Sequence, residues 1–404
     1  MRKLALTVFV DACGWDVVSP RPWLLPELSH RQPVESVFGY SSACLPAILS
    51  GRLPNECDHW SSWRWDPEGS PFRDARWLQR LPALAARLPP LRRRIAERLA
   101  RERGWDGYFA LHDMPLARLP QLDWTEKRSY FQPGGLNRGR TLFDRLAADA
   151  VPHHVSDWRA PEAARFAAAE AAIRRGGIDV AFVYAADLDG LMHREGRAEG
   201  PVDALLRTTQ ARLRALATTA WGIYDEVRLR VVSDHGMAEV QRPIDIRPRI
   251  GRTGLRWGVD YASVLDSTMA RFWFLKPGAE ARLRAALPDG PDGRWLDPAQ
   301  AKAWGVHWAD GRFGDAVWTL EPGRLLVPSD LGRAALRGMH GYRPEHADSL
   351  AALLSNEAPA RPVRRLTDLF HVLVDDARWA SGRALADDAA ERDAPPRSFR
   401  AEAA

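Results

Sequence analysis

The stretch VRLRVVSDHGMAEV, residues 227–240, is an apolar run that ends on an adjacent carboxylate and imidazole, Asp234 and His235. Valine and leucine dominate its first part, which is typical of a strand with both faces buried in a sheet. The polar pair follows almost directly on the last valine of the run. We therefore expect Asp234 and His235 to lie side by side at the edge of a sheet, where both can reach one ligand.

Two other apolar runs end on acids in the same way. LALTVFVDACGWD (4–16) leads into Asp11, and IDVAFVYAADLDGLMH (178–193) leads into Asp189. Helix-like patterns between the runs occur at 161–175 and 201–222. Alternating strands and helices predict an α/β fold with a mostly parallel central sheet flanked by helices. In such sheets ligands bind at the carboxyl ends of the strands, so these acids should share one edge.

Two segments interrupt this alternation and divide the predicted core into three parts. One is rich in Trp, Pro and Arg, which indicates a cap with helices of its own, and the other contains short β-like runs. A polar, alanine-rich segment follows the core and is expected to be flexible. The predicted division is core at 1–60, 141–261 and 329–380, cap insertion at 61–140, small β insertion at 262–328 and flexible tail at 381–404.

The charge, the apolar runs and the cysteines limit which partners and which cell compartment fit this chain. The net charge of +5 suggests nucleic acid or an acidic substrate, but basic and acidic residues alternate along helix-like segments, so nucleic acid is not predicted as the main partner. No apolar run is long enough for a membrane span. The three cysteines have unrelated spacings, which disfavours disulfides and cysteine metal sites and favours the cytoplasm.

Ser41 and Ser42 stand at the start of a short helix pattern, FGYSSACLPAILSG (38–51), which Gly51 closes. The start of a helix offers unpaired backbone N–H groups and the positive end of the helix dipole, which suit a phosphate or sulfate. An ordinary serine cap is the simpler explanation for either residue taken alone.

Histidines supply the remaining candidates. Asp189 and His193 are four residues apart and share one face of a helical turn, so together they can bind a cation. Asp187 is the competing acid. His340 lies between Gly338 and Gly341, where the backbone can turn sharply and approach a site closely.

The collected candidates combine carboxylates, imidazoles and one hydroxyl. Without cysteine ligands, such a set suits two catalytic divalent ions, with zinc favoured and manganese the alternative. Two ions a few ångströms apart can stabilise the attacking and leaving oxygens of a displacement at phosphorus. The set is Asp11, Ser41, Asp189, His193, Asp234, His235 and His340.

The order SSACLPAILSG, DLDGLMH, SDHGM and GMHGY resembles the type I phosphodiesterase/nucleotide pyrophosphatase branch of the alkaline phosphatase superfamily. The resemblance covers most of the core and implies an alkaline-phosphatase-like fold. It implies one ion at Asp11, Ser41, Asp234 and His235, and the other at Asp189, His193 and His340. Counting nine residues back from Ser50 gives Ser41 as the nucleophile, with Ser42 as competitor.

The chain departs from this family near the cap. Nucleotide-hydrolysing members tend to carry an asparagine soon after a histidine, here His59, whereas this chain has Arg64 nearby. An arginine binds a phosphate dianion well, so a phosphomonoesterase or phosphotransferase is the alternative to a phosphodiesterase. A non-catalytic binding protein is a third, weaker hypothesis. Trp60, Trp63 and Trp65 either line the substrate pocket or form a core for the cap.

The hypothesis is a metal-dependent hydrolase of small phosphate esters. A serine hydroxyl activated by a divalent ion attacks phosphorus, and a phosphoserine intermediate is then hydrolysed. The sequence does not specify the natural ester or the oligomeric state.

Overall fold

The computed structural model describes residues 1–81 and 87–385. The strands are β1 Lys3–Val10, β2 His30–Val34, β3 Trp63–Trp65, β4 Leu122–Trp124, β5 His153–Val155, β6 Val180–Ala185, β7 Glu226–Val232, β8 Ala238–Glu239, β9 Arg242–Ile244, β10 Tyr261–Leu265, β11 Met269–Phe274, β12 Gly293–Trp295, β13 Ala316–Leu320, β14 Arg324–Leu326, β15 Gly338–Met339 and β16 Ala351–Ser355. The α-helices are α1 Trp15–Val18, α2 Ser41–Ser50, α3 Pro54–Cys57, α4 Pro89–Glu102, α5 Leu142–Ala148, α6 Glu162–Arg175, α7 Asp187–Glu195, α8 Glu199–Ile223, α9 Arg247–Gly251, α10 Ala279–Ala286, α11 Pro298–Ala303 and α12 Leu366–Ser381.

The central sheet has six strands in the order β2-β16-β7-β1-β6-β5. The strands β5, β6, β1 and β7 are parallel neighbours, while β16 runs antiparallel to both β7 and β2. The predicted mostly parallel α/β sheet is confirmed. Phe9 of β1 is in register with Tyr184 of β6 and with Val232 of β7. The three strands therefore end level with one another, and the acids that follow them meet at one edge.

Strand β1 is buried on both faces, as its continuous apolar sequence requires. Successive strand side chains point to opposite faces, so Leu4, Leu6 and Val8 pack with the helices α6 and α8. Ala5 and Phe9 pack on the other face, against α2 and α12. Burying a leucine or phenylalanine side chain stabilises the fold by about 1.5–3 kcal/mol, which makes this central strand a firm support for the residues at its end.

A second, antiparallel sheet has the order β10-β11-β13-β12. It packs against the short β3–β4 pair and helix α4, with Trp63 and Trp124 meeting edge to face at 4.7 Å between ring centroids. Apart from Tyr261, the first residue of β10, these elements fall within the segments predicted as the cap, 61–140, and the small β insertion, 262–328. The division into domains stays a prediction.

Two further predictions concern the tail and the absence of a membrane span. Helix α12 extends to Ser381, and most of the tail predicted to be flexible, residues 386–404, lies outside the described residues. In the part of the chain that the structure describes, no helix combines the length and the apolar character needed to cross a membrane.

Candidate active site

The first group of site residues lies where β1 and β7 end, beside the start of α2. The His235 Nε2 atom lies 3.1 Å from an Asp234 carboxylate oxygen and 3.7 Å from one of Asp11. The Ser41 hydroxyl is 3.2 Å from the same nitrogen. Strand register explains the meeting of Asp11 with Asp234, because β1 and β7 are adjacent and parallel. The structure thus brings the four residues of the first predicted ion site together.

The second group lies beside it, on α7 and in the loop after β15. An Asp189 carboxylate oxygen is 3.3 Å from His193 Nε2 and 3.5 Å from His340 Nε2. The four-residue spacing places Asp189 and His193 on one face of α7, as the sequence predicts. The Nδ1 atom of His193 lies 2.9 Å from the Gly338 carbonyl oxygen, to which it can donate, and this leaves Nε2 available to a ligand.

The two groups are in direct contact. The His235 and His340 rings stack with centroids 3.7 Å apart and planes inclined by 11°. Donor atoms of Asp11, Asp189 and His235 lie within 4.8 Å of one another, as do those of Asp189, His193 and His340. Asp189 therefore lies between the two groups and could serve either of them.

The charges in this cluster are poorly compensated by the protein itself. Burial raises the pKa of Asp11 well above its ordinary value, and the Asp234 carboxylate raises it further. Burial acts to lower the pKa of His235, but the Asp234, Asp11 and Asp189 carboxylates together outweigh it and raise that pKa to about 10. Three carboxylates thus crowd around the imidazoles, and they compete for the available positive charge.

Unpartnered atoms show what kind of ligand fits. Buried atoms with no hydrogen-bond partner among the described residues include a carboxylate oxygen of each acid and His340 Nδ1. Leaving such atoms unpaired costs free energy, and carboxylate oxygens and imidazole nitrogens are ligands that Zn²⁺ and similar ions prefer. The residues present therefore fit divalent cations. The three acids are Asp11, Asp189 and Asp234.

The competing residues have other partners. Ser42 is buried and its hydroxyl donates to the Trp60 carbonyl oxygen at 3.1 Å, whereas Ser41 begins helix α2 and faces His235. The backbone N–H of Asp187 donates to Glu162, and Asp187 belongs to neither donor group in the described structure. The geometry favours Ser41 over Ser42 and Asp189 over Asp187.

Arg64 is held by partners within the protein. Its guanidinium donates to Asp123 at 2.7 Å and to Asp58 at 3.1 Å, and it does not line the cavity beside Ser41. Asp58 also accepts a hydrogen bond from Arg312. These ion pairs argue against the prediction that Arg64 binds the substrate phosphate, because two carboxylates already satisfy its charge.

The histidine and the tryptophans near Arg64 are also structural. Burial lowers the pKa of His59 to about 3, so its ring is neutral, and its Nε2 accepts from the Asn137 backbone N–H. Trp60 and Trp63 are buried, and with Trp65 they pack against other aromatic rings instead of lining the cavity. Of the two hypotheses for these tryptophans, the structure supports a packed core.

A cavity of about 400 Å³ opens beside the cluster. Most residues of its wall were not predicted from the sequence. Asp11, Ser41, Asp189 and His340 reach it from the core. Most of the remaining wall comes from loops, where neither helical nor strand periodicity indicates which side chains face inward. Only Tyr184 had a usable signal, since its hydroxyl is polar within an apolar strand. The missed wall residues include Tyr108, His112, Glu126, Arg128, Tyr130, Phe131, Trp158 and Tyr184.

Tyr184 is expected to act as a positioning residue for Asp11. Its hydroxyl donates to an Asp11 carboxylate oxygen at 2.8 Å, and burial together with the Asp11 charge keeps its pKa well above the ordinary value. The phenol therefore stays a donor and fixes the carboxylate. We expect Tyr184→Phe to weaken divalent metal binding about 10- to 100-fold, as measured by titration of the metal-free protein.

Tyr224→Phe is the matched control for that variant. The Tyr224 hydroxyl also donates a hydrogen bond within the core, to the Ile178 carbonyl oxygen at 2.9 Å, but it touches no site residue. Both variants should lose some thermal stability, and only Tyr184→Phe should lose metal affinity. Equal metal affinities in the two variants would show that Tyr184 has a purely structural role.

Comparison with known protein families gives one match. The model of the type I phosphodiesterase / nucleotide pyrophosphatase family matches residues 107–343, more than half of the chain. The matched range begins after Asp11 and Ser41 and includes the other five residues of the predicted set. Among curated proteins, no sequence match was found.

Solved structures with low sequence identity share the fold. Human ectonucleotide pyrophosphatase / phosphodiesterase 5 is 14% identical with a TM-score of 0.65, over 93% of this chain and 95% of that one. An inactive murine form of it, in complex with AMP, is 15% identical with a TM-score of 0.64, over the same shares. Phosphonoacetate hydrolase from Sinorhizobium meliloti 1021, in complex with phosphonoacetate, is 13% identical with a TM-score of 0.63, over 93% and 96%.

Proposed function

Since the chain belongs to the type I phosphodiesterase/nucleotide pyrophosphatase family of the alkaline phosphatase superfamily, whose members hydrolyse ester bonds, we propose that it is a metal-dependent phosphodiesterase. The substrate class is a small phosphate ester. The observation that carries the proposal is the Ser41 hydroxyl at the start of a helix, directly beside two adjoining sets of carboxylate and imidazole ligands.

The proposed ligands form two sites. Asp11, Ser41, Asp234 and His235 would hold one divalent ion, and the second set would hold the other. When bound, such ions lower the pKa of a hydroxyl and neutralise charge on the oxygens around phosphorus. The identity of the metal, zinc with manganese as the alternative, stays a prediction. A cytoplasmic location also stays a prediction. The second set is Asp189, His193 and His340.

Ser41 carries the chemistry in this proposal. Its Oγ attacks phosphorus in line, the bond from phosphorus to the alcohol oxygen breaks, and the alcohol leaves. Water then cleaves the Oγ–phosphorus bond and regenerates the serine. The first backbone N–H groups of α2 have no partner within the helix, so its dipole favours a negative phosphoryl group at Ser41.

The phosphomonoesterase alternative loses its main support. It was based on Arg64 as a ligand for a phosphate dianion, and that guanidinium is bound to Asp58 and Asp123. A diester presents less negative charge and needs no such partner. The diesterase is therefore the function that the site supports best.

A comparison of two esters tests the proposed function. With zinc or manganese supplied, we expect kcat/KM for bis(p-nitrophenyl) phosphate to exceed that for p-nitrophenyl phosphate by about tenfold or more, a difference of about 1.4 kcal/mol in transition-state binding. Faster cleavage of the monoester would favour the phosphomonoesterase, and product that requires an added alcohol would favour a transferase. Failure to cleave either ester would contradict the proposal.

A further inference from the structure

Glu126 is a buried acid in the cavity wall that the proposed reaction does not use. Its residue is 6% exposed, it follows strand β4, and it faces the same cavity as Ser41. The Ser62 hydroxyl donates to its carboxylate at 3.3 Å. Among the residues described by the structure, Glu126 takes part in no ion pair, which is unusual for an acid at this depth.

Neighbouring cations leave Glu126 uncompensated. The Lys127 ammonium pairs with Asp123 at 2.9 Å, and Arg128 lies on the exposed rim of the cavity. Burial consequently raises the pKa of the Glu126 carboxyl to about 7. A carboxylate in this position costs free energy unless a ligand supplies positive charge or hydrogen-bond donors.

Tyr130 lies beside Glu126 in the same cavity wall. Its residue is 7% exposed and lines the cavity, and its hydroxyl has no hydrogen-bond partner within the described part of the chain. The hydroxyl is close enough to the Glu126 carboxyl to lower the pKa of that carboxyl, but it does not offset the effect of burial. A ligand that pairs with the Glu126 carboxylate can therefore also meet the Tyr130 hydroxyl.

Aromatic rings complete this wall. Tyr108 and Trp158 meet edge to face with ring centroids 6.2 Å apart, and both line the cavity with Phe131. Aromatic faces attract cations, and they attract them more strongly where water is excluded. An uncompensated carboxylate next to aromatic rings therefore favours a positively charged ligand group over a neutral one.

Hydrogen bonds connect this wall to the start of helix α2, which carries the proposed nucleophile Ser41. Ser42 donates to the carbonyl oxygen of Trp60, and Ser62, two residues further on, donates to Glu126. The segment from Trp60 to Ser62 thus lies between α2 and Glu126. A substrate whose phosphorus is at Ser41 can extend its organic part along this segment.

We propose that Glu126 selects phosphate esters whose organic substituent carries a protonated amine, with Tyr130 and the aromatic wall enclosing the ammonium group. This inference rests on the proposed function, since it assigns the substrate class of the same site. It makes Glu126 a specificity-determining residue and gives it no part in bond breaking.

Binding of phosphonates tests this assignment without turnover. For the metal-loaded protein, calorimetry compares two kinds of phosphonate. One kind is ω-aminoalkylphosphonates with two to four carbons, and the other is alkylphosphonates of equal heavy-atom number whose alkyl chain carries no charge. We expect the best amine to bind about tenfold or more tightly than its uncharged partner, because an ammonium group donates charge-assisted hydrogen bonds to a carboxylate. The Glu126→Gln variant should lose most of this ratio.

Glu97→Gln is the matched control, since Glu97 is an exposed acid on helix α4 of the cap. It should keep the wild-type ratio. The ratio divides the affinity for the amine by the affinity of the same protein for the uncharged alkylphosphonate. A general loss of binding in a variant therefore lowers both affinities and leaves the ratio unchanged. Absence of an amine preference at every chain length, its persistence in Glu126→Gln, or an equal gain from a neutral hydroxyalkylphosphonate would overturn the assignment.

The two proposals fail in different ways. Phosphonates contain no ester bond, so their binding does not depend on attack by Ser41. Ester cleavage without an amine preference would overturn the role of Glu126 alone. An amine preference without any ester cleavage would instead overturn the proposed reaction.

Discussion

Replacing Ser41 with alanine is expected to lower kcat/KM for the best phosphodiester by about 10³-fold or more, as measured with the metal-loaded protein. The Ser41 hydroxyl lies 3.2 Å from His235 Nε2 at the cavity, and no other hydroxyl holds the equivalent place at the start of α2 among the described residues. Residual turnover should reflect attack by water on an ester that the site still binds.

Ser42→Ala is the matched control for the nucleophile. The Ser42 hydroxyl is committed to the Trp60 carbonyl oxygen, so its loss should cost about 1 kcal/mol of stability and reduce turnover far less than the Ser41 substitution. Trapping of phosphate on the protein gives a second readout, because only a chain with Ser41 should become labelled. If Ser42→Ala were the inactive and unlabelled variant, the roles of the two serines would be exchanged.

Removing divalent metal is expected to abolish turnover and to lower the melting temperature by several degrees. A metal that binds only the folded state stabilises it by about 4 kcal/mol when present at a thousand times its dissociation constant. Without it, the Asp11, Asp189 and Asp234 carboxylates repel one another in a buried cluster. Elemental analysis, calorimetry and assays before and after treatment with a chelator measure all three effects.

Two acids of helix α7 supply the control for metal removal. Asp189 contributes to both donor groups, whereas Asp187, two residues earlier, belongs to neither in the described structure. Asp189→Asn should lower metal affinity by about a hundredfold or more, and Asp187→Asn should leave it close to wild type. Full activity in chelated protein, or equal metal content in the two variants, would contradict the two-ion site.

The sheet and the positions of the candidate ligands could be predicted because they obey short-range rules. Apolar strands that end on acids gave the parallel sheet, and its register brings Asp11 level with Asp234. The spacing of Asp189 and His193 placed both on one helix face. His340 was proposed from its flanking glycines, which show only that the backbone can approach a site closely, because a loop histidine has no periodicity from which its direction can be deduced.

The cavity wall could not be predicted for a related reason. Glu126, Tyr130 and Trp158 come from loops, and which of their side chains turn inward depends on tertiary packing. The pairing of Arg64 with Asp123, on the facing strand, could not be read from the sequence either. A charged residue can be proposed as a ligand-binding residue only once its ion-pair partners within the protein are known.

The ion pairs around Asp58 also bear on how substrates reach the nucleophile. Asp58 accepts hydrogen bonds from Arg64, beside the cap strands, and from Arg312 and Trp308, next to the second sheet. One buried carboxylate thus connects three parts of the chain, and moving the segment around Arg64 away from the segment around Arg312 would break these bonds. We expect these bonds to keep the segments in place while ligands enter and leave the cavity that Tyr108 and Trp158 line.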